Sequence, residues 1–95
     1  MPIPRYELDE QARLDFTIDW TTWMVSGDTI VSSTWASSGA PLVVENPSNT
    51  TLTTLIWARF SGAIVVGRVY SAINHITTAM GRQEDQTLEF IAARH

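Results

Sequence analysis

The segment "LDFTIDW", Leu14 to Trp20, alternates apolar residues with acidic or hydroxyl residues at every position. A period of two puts Leu14, Phe16, Ile18 and Trp20 on one face and Asp15, Thr17 and Asp19 on the other, which predicts a β-strand with one buried side. An amphipathic helix cannot carry that pattern, because its apolar stripe recurs every three to four residues. The strand therefore commits the chain to a sheet, and the remaining segments must supply the neighbours.

They do so at intervals of roughly ten residues. Trp23 or Met24 is expected to plug the end of the core, and Ser26-Gly27-Asp28 reads as a turn, since glycine accepts positive φ and aspartate caps its own loop. Thr29 to Trp35 alternates again, with Val31 and Trp35 on one face and Ile30 on the other. "LVVEN" is a short strand, and Pro47 in "NPSN" is expected to end it. In Thr51 to Arg59 both faces carry apolar residues: Leu52, Ile56 and Ala58 on one, Leu55 and Trp57 on the other. Ala63 to Val66 reads as a turn or edge segment leading into a long strand, Arg68 to Thr78, whose Tyr70, Ala72, Asn74 and Ile76 share a face. Gly81 pivots the next turn, and the last strand aligns Gln86, Leu88, Phe90 and Ala92. About seven short strands with no helix-period window predict an all-β sandwich.

Residues 1–13 lack a sustained period and contain Pro2 and Pro4, so they are expected to form an extended N-terminal arm, with Ile3 and Tyr6 as anchors on a neighbour. Residues 14–95 are then the folded domain. A chain of 95 residues holds one domain and one core. There is no cysteine, so neither a disulfide framework nor a thiolate metal site is available. The N-terminus shows no basic region followed by an apolar one, and no run approaches a membrane span, so neither a cleavable leader nor a membrane is expected. Six arginines stand against ten acidic residues, for a net charge of -4. That balance lacks the basic cluster on which nucleic-acid affinity rests, and DNA and RNA are excluded as expected ligands.

Catalytic constellations are missing. His75 lies on a strand face away from Tyr70 and Asn74, and His95 ends the chain, so no histidine pair has metal-ligand spacing. Asp15 and Asp19 sit roughly 13 Å apart on one strand face, too far to share a proton. Asp28, Glu84 and Asp85 all fall in turns that could converge on calcium, although solvated turn residues are the simpler reading. No nucleophile elbow and no phosphate-binding glycine loop occurs. We expect no enzyme, no metal and no cofactor. Among the four tryptophans, Trp20 belongs with Phe16 and Ile18 in the core; Trp35 and Trp57 are also assigned to it, and either would serve as a sugar platform or a subunit anchor if exposed.

The residues also resemble a known family. "LDFTIDWTTWMVSGDTIVSSTW" carries Leu14, Asp15, Phe16, Asp19, Trp20, Gly27, Asp28, Ile30, Ser33, Thr34 and Trp35. The later segments add Ile56, Trp57, Gly67, Tyr70, Asn74, Ile76, Thr77, Thr78, Gly81 and Arg82. In that order they resemble small tailed-phage virion proteins of the fibre-tail adaptor type over residues 14–92. The resemblance implies an immunoglobulin-like antiparallel β-sandwich, a place in the virion, fibre, tail, neck or capsid proteins as partners, and multiple symmetric copies. It also places Tyr70 where that fold makes a tyrosine corner. The chain departs from the family at Ala72, where a larger aliphatic is usual, and in "ARFSGAIVVG", which is more apolar than the usual glycine-rich turn. The expected contact residues are therefore Ile3, Tyr6, Phe60, Ile64, Val65 and Val66. The alternatives are a capsid decoration protein and, from another class, a surface carbohydrate-binding module.

Overall fold

The computed structural model describes residues 3–94, and seven strands form among them: β1 (Arg5–Asp9), β2 (Arg13–Asp19), β3 (Ile30–Ser37), β4 (Leu42–Asn49), β5 (Thr53–Phe60), β6 (Val69–Thr78) and β7 (Gln83–Ala93). They build two sheets, β1-β7-β6-β3 and β2-β5-β4, whose inner faces enclose the core. β5, β6 and β7 alternate buried and accessible positions along almost their whole length. The face expected on β6, Tyr70, Ala72, Asn74 and Ile76, is the buried one, as is that expected on β7.

The N-terminal segment corrects the expectation of an arm over 1–13. Arg5–Asp9 pairs in parallel with β7, from Arg5 opposite Glu89 to Asp9 opposite Ala93. This pair is the parallel exception in otherwise antiparallel sheets. Leu8 is 0 % exposed, and the Tyr6 ring lies 4.8 Å from Phe16 and 6.0 Å from Phe90. The segment is thus the edge of the sandwich, held by backbone hydrogen bonds and two inward side chains. Positions 1, 2 and 95 of the chain, which include Pro2 and His95, lie outside the described residues.

Two further expectations change. Pro47 does not end β4: the register slips between Glu45 and Ser48, Asn46 adopts φ 51°, and pairing resumes at Ser48 and Asn49. A bulge absorbs the missing N–H where an interior strand position could not. Leu14, expected to face inward, is 47 % exposed at the start of the edge strand β2.

A buried polar chain crosses between the sheets. The Trp20 indole N–H donates to Thr54 Oγ1 (3.1 Å), whose hydroxyl donates to Asn74 Oδ1 (2.6 Å). Asn74 Nδ2 then donates to Ser33 Oγ (2.8 Å) and the Thr34 carbonyl (2.9 Å). Buried amides and hydroxyls are tolerated only when paired, and here the pairing itself fixes how the sheets face one another. Asp28 makes a second knot. It is buried, not solvated, and its Oδ1 accepts from the amides of Thr29 (2.9 Å) and Met80 (3.1 Å), tying the β2–β3 loop to the β6–β7 turn. Burial pushes this carboxyl up, but the Thr78 hydroxyl, those two amides and the Arg82 guanidinium together bring it below the ordinary carboxylate range.

Candidate functional site

The residues that carry the family resemblance are largely spent on the scaffold: Trp20, Ser33, Thr34 and Asn74 form one polar chain, and Asp28, Thr78 and Arg82 surround the other. Contact surfaces must be sought where apolar side chains remain uncovered.

The first lies at the end of the sandwich formed by the β5–β6 connection. Ile64 is inserted into the core at 8 % exposure and anchors the loop. The Arg68 amide donates to the Val65 carbonyl (3.0 Å), closing a turn whose third residue, Gly67, has φ 87°. That sign of φ is the one a type II turn demands there, and glycine meets it without a Cβ penalty. The Gly67 amide donates to the Ala92 carbonyl at 2.8 Å, so the turn is fastened to β7. Val65 and Val66 project from it, 57 % and 55 % exposed. The apolar character continues along the outer face of β6 through Val69 and Ile73, with Ile91 of β7 opposite Val69. Outer positions of a one-sided sheet are ordinarily polar. This strip is flanked by the Arg5–Glu89 ion pair (2.8 Å) and the hydrogen bond between His75 Nδ1 and Asp85 Oδ1.

The second surface is a flank. β3 packs against β4 and closes one side of the sandwich, whereas β1 and β2 leave the opposite side as a groove of about 450 Å³. Pro4, Tyr6, Ile18, Trp23 and Leu88 line it. Ile3 precedes it and is exposed.

The six expected contact residues therefore divide. Val65 and Val66 share the rigid turn, while Ile3 and Tyr6 belong to the flank. Phe60 and Ile64 are buried, a correction: both side chains turn into the core, Phe60 meeting Tyr70 edge-on at 5.4 Å. Tyr70 is buried near the start of β6 and contributes its ring to the core, edge-on to Phe60.

Of the residues assigned to the core, Ile18 and Trp20 are buried, and Phe16 and Trp35 are partly buried against it. Trp57 is a correction. It faces outward from the second sheet, half-buried under the Arg13 guanidinium at 4.5 Å. Arg13 and Arg59 both donate to Glu45 Oε1 (2.7 and 3.1 Å) beside it. The Arg13 hydrogen bond, aided by Arg59, holds the Glu45 carboxyl below its ordinary value against the opposing effect of burial. Arg13 covers one face of Trp57, and Trp35 is partly buried against the core.

Asp28, Glu84 and Asp85 do not converge, and Glu84 and Asp85 lie in β7 and not in a turn, a correction. Asp28 faces the amides described above, Asp85 pairs with His75, and Glu84 Oε1 accepts from the Asp85 amide. Among the described residues no cluster of three or more metal-ligating side chains forms, and no helix is long and apolar enough to cross a membrane.

No curated protein matches the sequence. Among solved structures, the chain is similar to the PKD domain from the KIAA 1837 protein, determined in solution, with a TM-score of 0.56 and 16 % identity over 97 % of this chain and 82 % of that one. At that identity the likeness concerns the fold, an immunoglobulin-like sandwich. A family model described as podophage GP4 fiber-tail adaptor protein gp77 matches residues 9–90, spanning β2 to β7 with both polar knots, and the chain belongs to that family.

Proposed function

We propose that this chain is a non-enzymatic structural protein of the virion that seats a fibre on the tail or neck, in several symmetric copies, and that the Val65–Val66 turn with the outer strip of β6 is one of its contacts. Family membership supports a phage adaptor whose partners are other virion proteins. The observation that carries the assignment of the contact is the fastening of an apolar turn: the Gly67 amide to Ala92, the Arg68 amide to Val65, and Ile64 in the core. A turn already ordered loses little conformational entropy when a partner closes over it, so more of its apolar burial becomes affinity. The net charge of -4 favours protein over nucleic acid as the partner.

The test is to assemble particles with Val65→Asp and Val66→Asp together and count fibre protein per particle by quantitative mass spectrometry. Both side chains are exposed, so the isolated variant should melt close to the parent. Fibre should be lost from the particles. Unchanged fibre content would remove this turn from the contact.

A further inference from the structure

Two open sheets present four edges, and an unprotected edge recruits another strand. Three of the four are blunted here. β4 is broken by the bulge at Asn46 and Pro47. β3 slips register between Ile30 and Ser32 and packs against β4. β1 is five residues long, with Arg5, Glu7 and Asp9 at its outward positions.

β2 also carries charges at its outward positions, Arg13, Asp15 and Asp19, but it is seven residues long and unbroken. It pairs with β5 from Arg13 to Asp19 without a register shift. The Trp20 amide donates to the Leu52 carbonyl at 2.9 Å, continuing the same register. In an antiparallel ladder the residues of alternate pairs bond to the partner and those between point the other way. Even-numbered residues therefore face β5, and Asp15, Thr17 and Asp19 direct their N–H and C=O groups to the free edge. Beside that edge lies the flank groove, with Thr17, Ile18 and Asp19 as one wall and Pro4 and Tyr6 as the other. Leu14 continues the inward line of β2, uncovered.

We infer that the free edge of β2 accepts an extended segment of a partner virion protein as an added strand, whose alternate side chains fill the groove. The partner's being a virion protein rests on the adaptor reading. The remaining side chains of such a strand would stand beside Asp15 and Asp19 on the outer face, where cross-strand neighbours of opposite charge stabilise and like charges oppose. The occupant is therefore a segment alternating apolar residues with basic ones. Backbone bonds give it affinity, and the groove and the two aspartates give it register.

The test compares deuterium uptake of the 13–19 segment in the free protein and in purified virions. Uptake should fall in virions by the three edge amides of Asp15, Thr17 and Asp19. Thr17→Pro removes one edge donor while leaving the β2–β5 ladder intact, so the variant should fold yet fail to gain this protection. Asp15→Lys, which disturbs no ladder bond, should lower incorporation into particles. If the protein is in the particle and the segment exchanges as it does when free, or if Thr17→Pro is incorporated and protected like the parent, the inference is overturned while the adaptor reading stands. Absence of the protein from particles overturns both. Protection that already arises in the isolated protein together with a dimeric mass makes a second copy the occupant, and overturns the proposed partner.

Discussion

Replacing Leu8 with alanine should cost the fold about 3 kcal/mol, within the range of about 2–5 kcal/mol for a fully buried leucine reduced to a methyl group. Leu8 is 0 % exposed and belongs to the main core cluster, so the cavity cannot be filled by solvent without unpairing β1 from β7. A chain of 95 residues has roughly 5 to 14 kcal/mol of stability in all. The loss is therefore a large share of it. With about 4–8 °C of melting shift per kcal/mol for a domain of this size, thermal unfolding should move down by roughly 12–24 °C. Circular dichroism melts, with urea titrations as a second probe, read this directly. Ile3→Ala, two residues before β1 and exposed, should stay within about 0.5 kcal/mol of the parent. A Leu8→Ala variant that loses less than about 1 kcal/mol would refute the reasoning, because it would mean that the N-terminal strand is a dispensable arm and not part of the core.

Other outcomes follow from the two polar knots. Asn74→Ala strands the buried Thr54 hydroxyl and removes the bonds to Ser33 Oγ and the Thr34 carbonyl, and should cost about 2 kcal/mol in urea unfolding; Thr34→Ala, which keeps the carbonyl, should cost far less. Asp28 has a lowered folded value, so its stabilisation is present above the ordinary carboxylate range and is lost as pH falls through the folded value. Asp28→Asn should therefore unfold more easily at neutral pH and show a shallower fall in stability below about pH 4, measured as urea midpoints across that window. Glu45 is shifted in the same direction, so some acid dependence should persist in the variant.

The long strands were legible because their partners leave a local mark. β6 and β7 each bury one full set of alternate residues, and the period of two is visible without knowing what covers it. β1 also alternates, "RYELD", but it contributes only Tyr6 and Leu8, and its partner lies at the other end of the chain. Nothing local distinguishes such a short run from an extended tail. Trp57 failed for a different reason. β5 is apolar on both faces, and which face is inside depends on Arg13 and Glu45 arriving from other strands to cover the outer one. Phe60 and Ile64 belong to the same apolar run "ARFSGAIVVG" as Val65 and Val66, and nothing local marks these two side chains as the ones that turn inward and pin the loop. The exposure of Val65 and Val66 was foreshadowed by the unusual apolarity of their segment. The flank edge was not, because edges are defined by what fails to pair, and that is set by sheet order.

The most direct test of the adaptor account is the number of copies of this chain in each purified particle, measured by quantitative mass spectrometry against the major capsid protein. A protein seated around a tail or neck should follow the symmetry of that ring, with on the order of ten copies per particle. Hundreds of copies would place it on the head as a decoration protein and contradict the account.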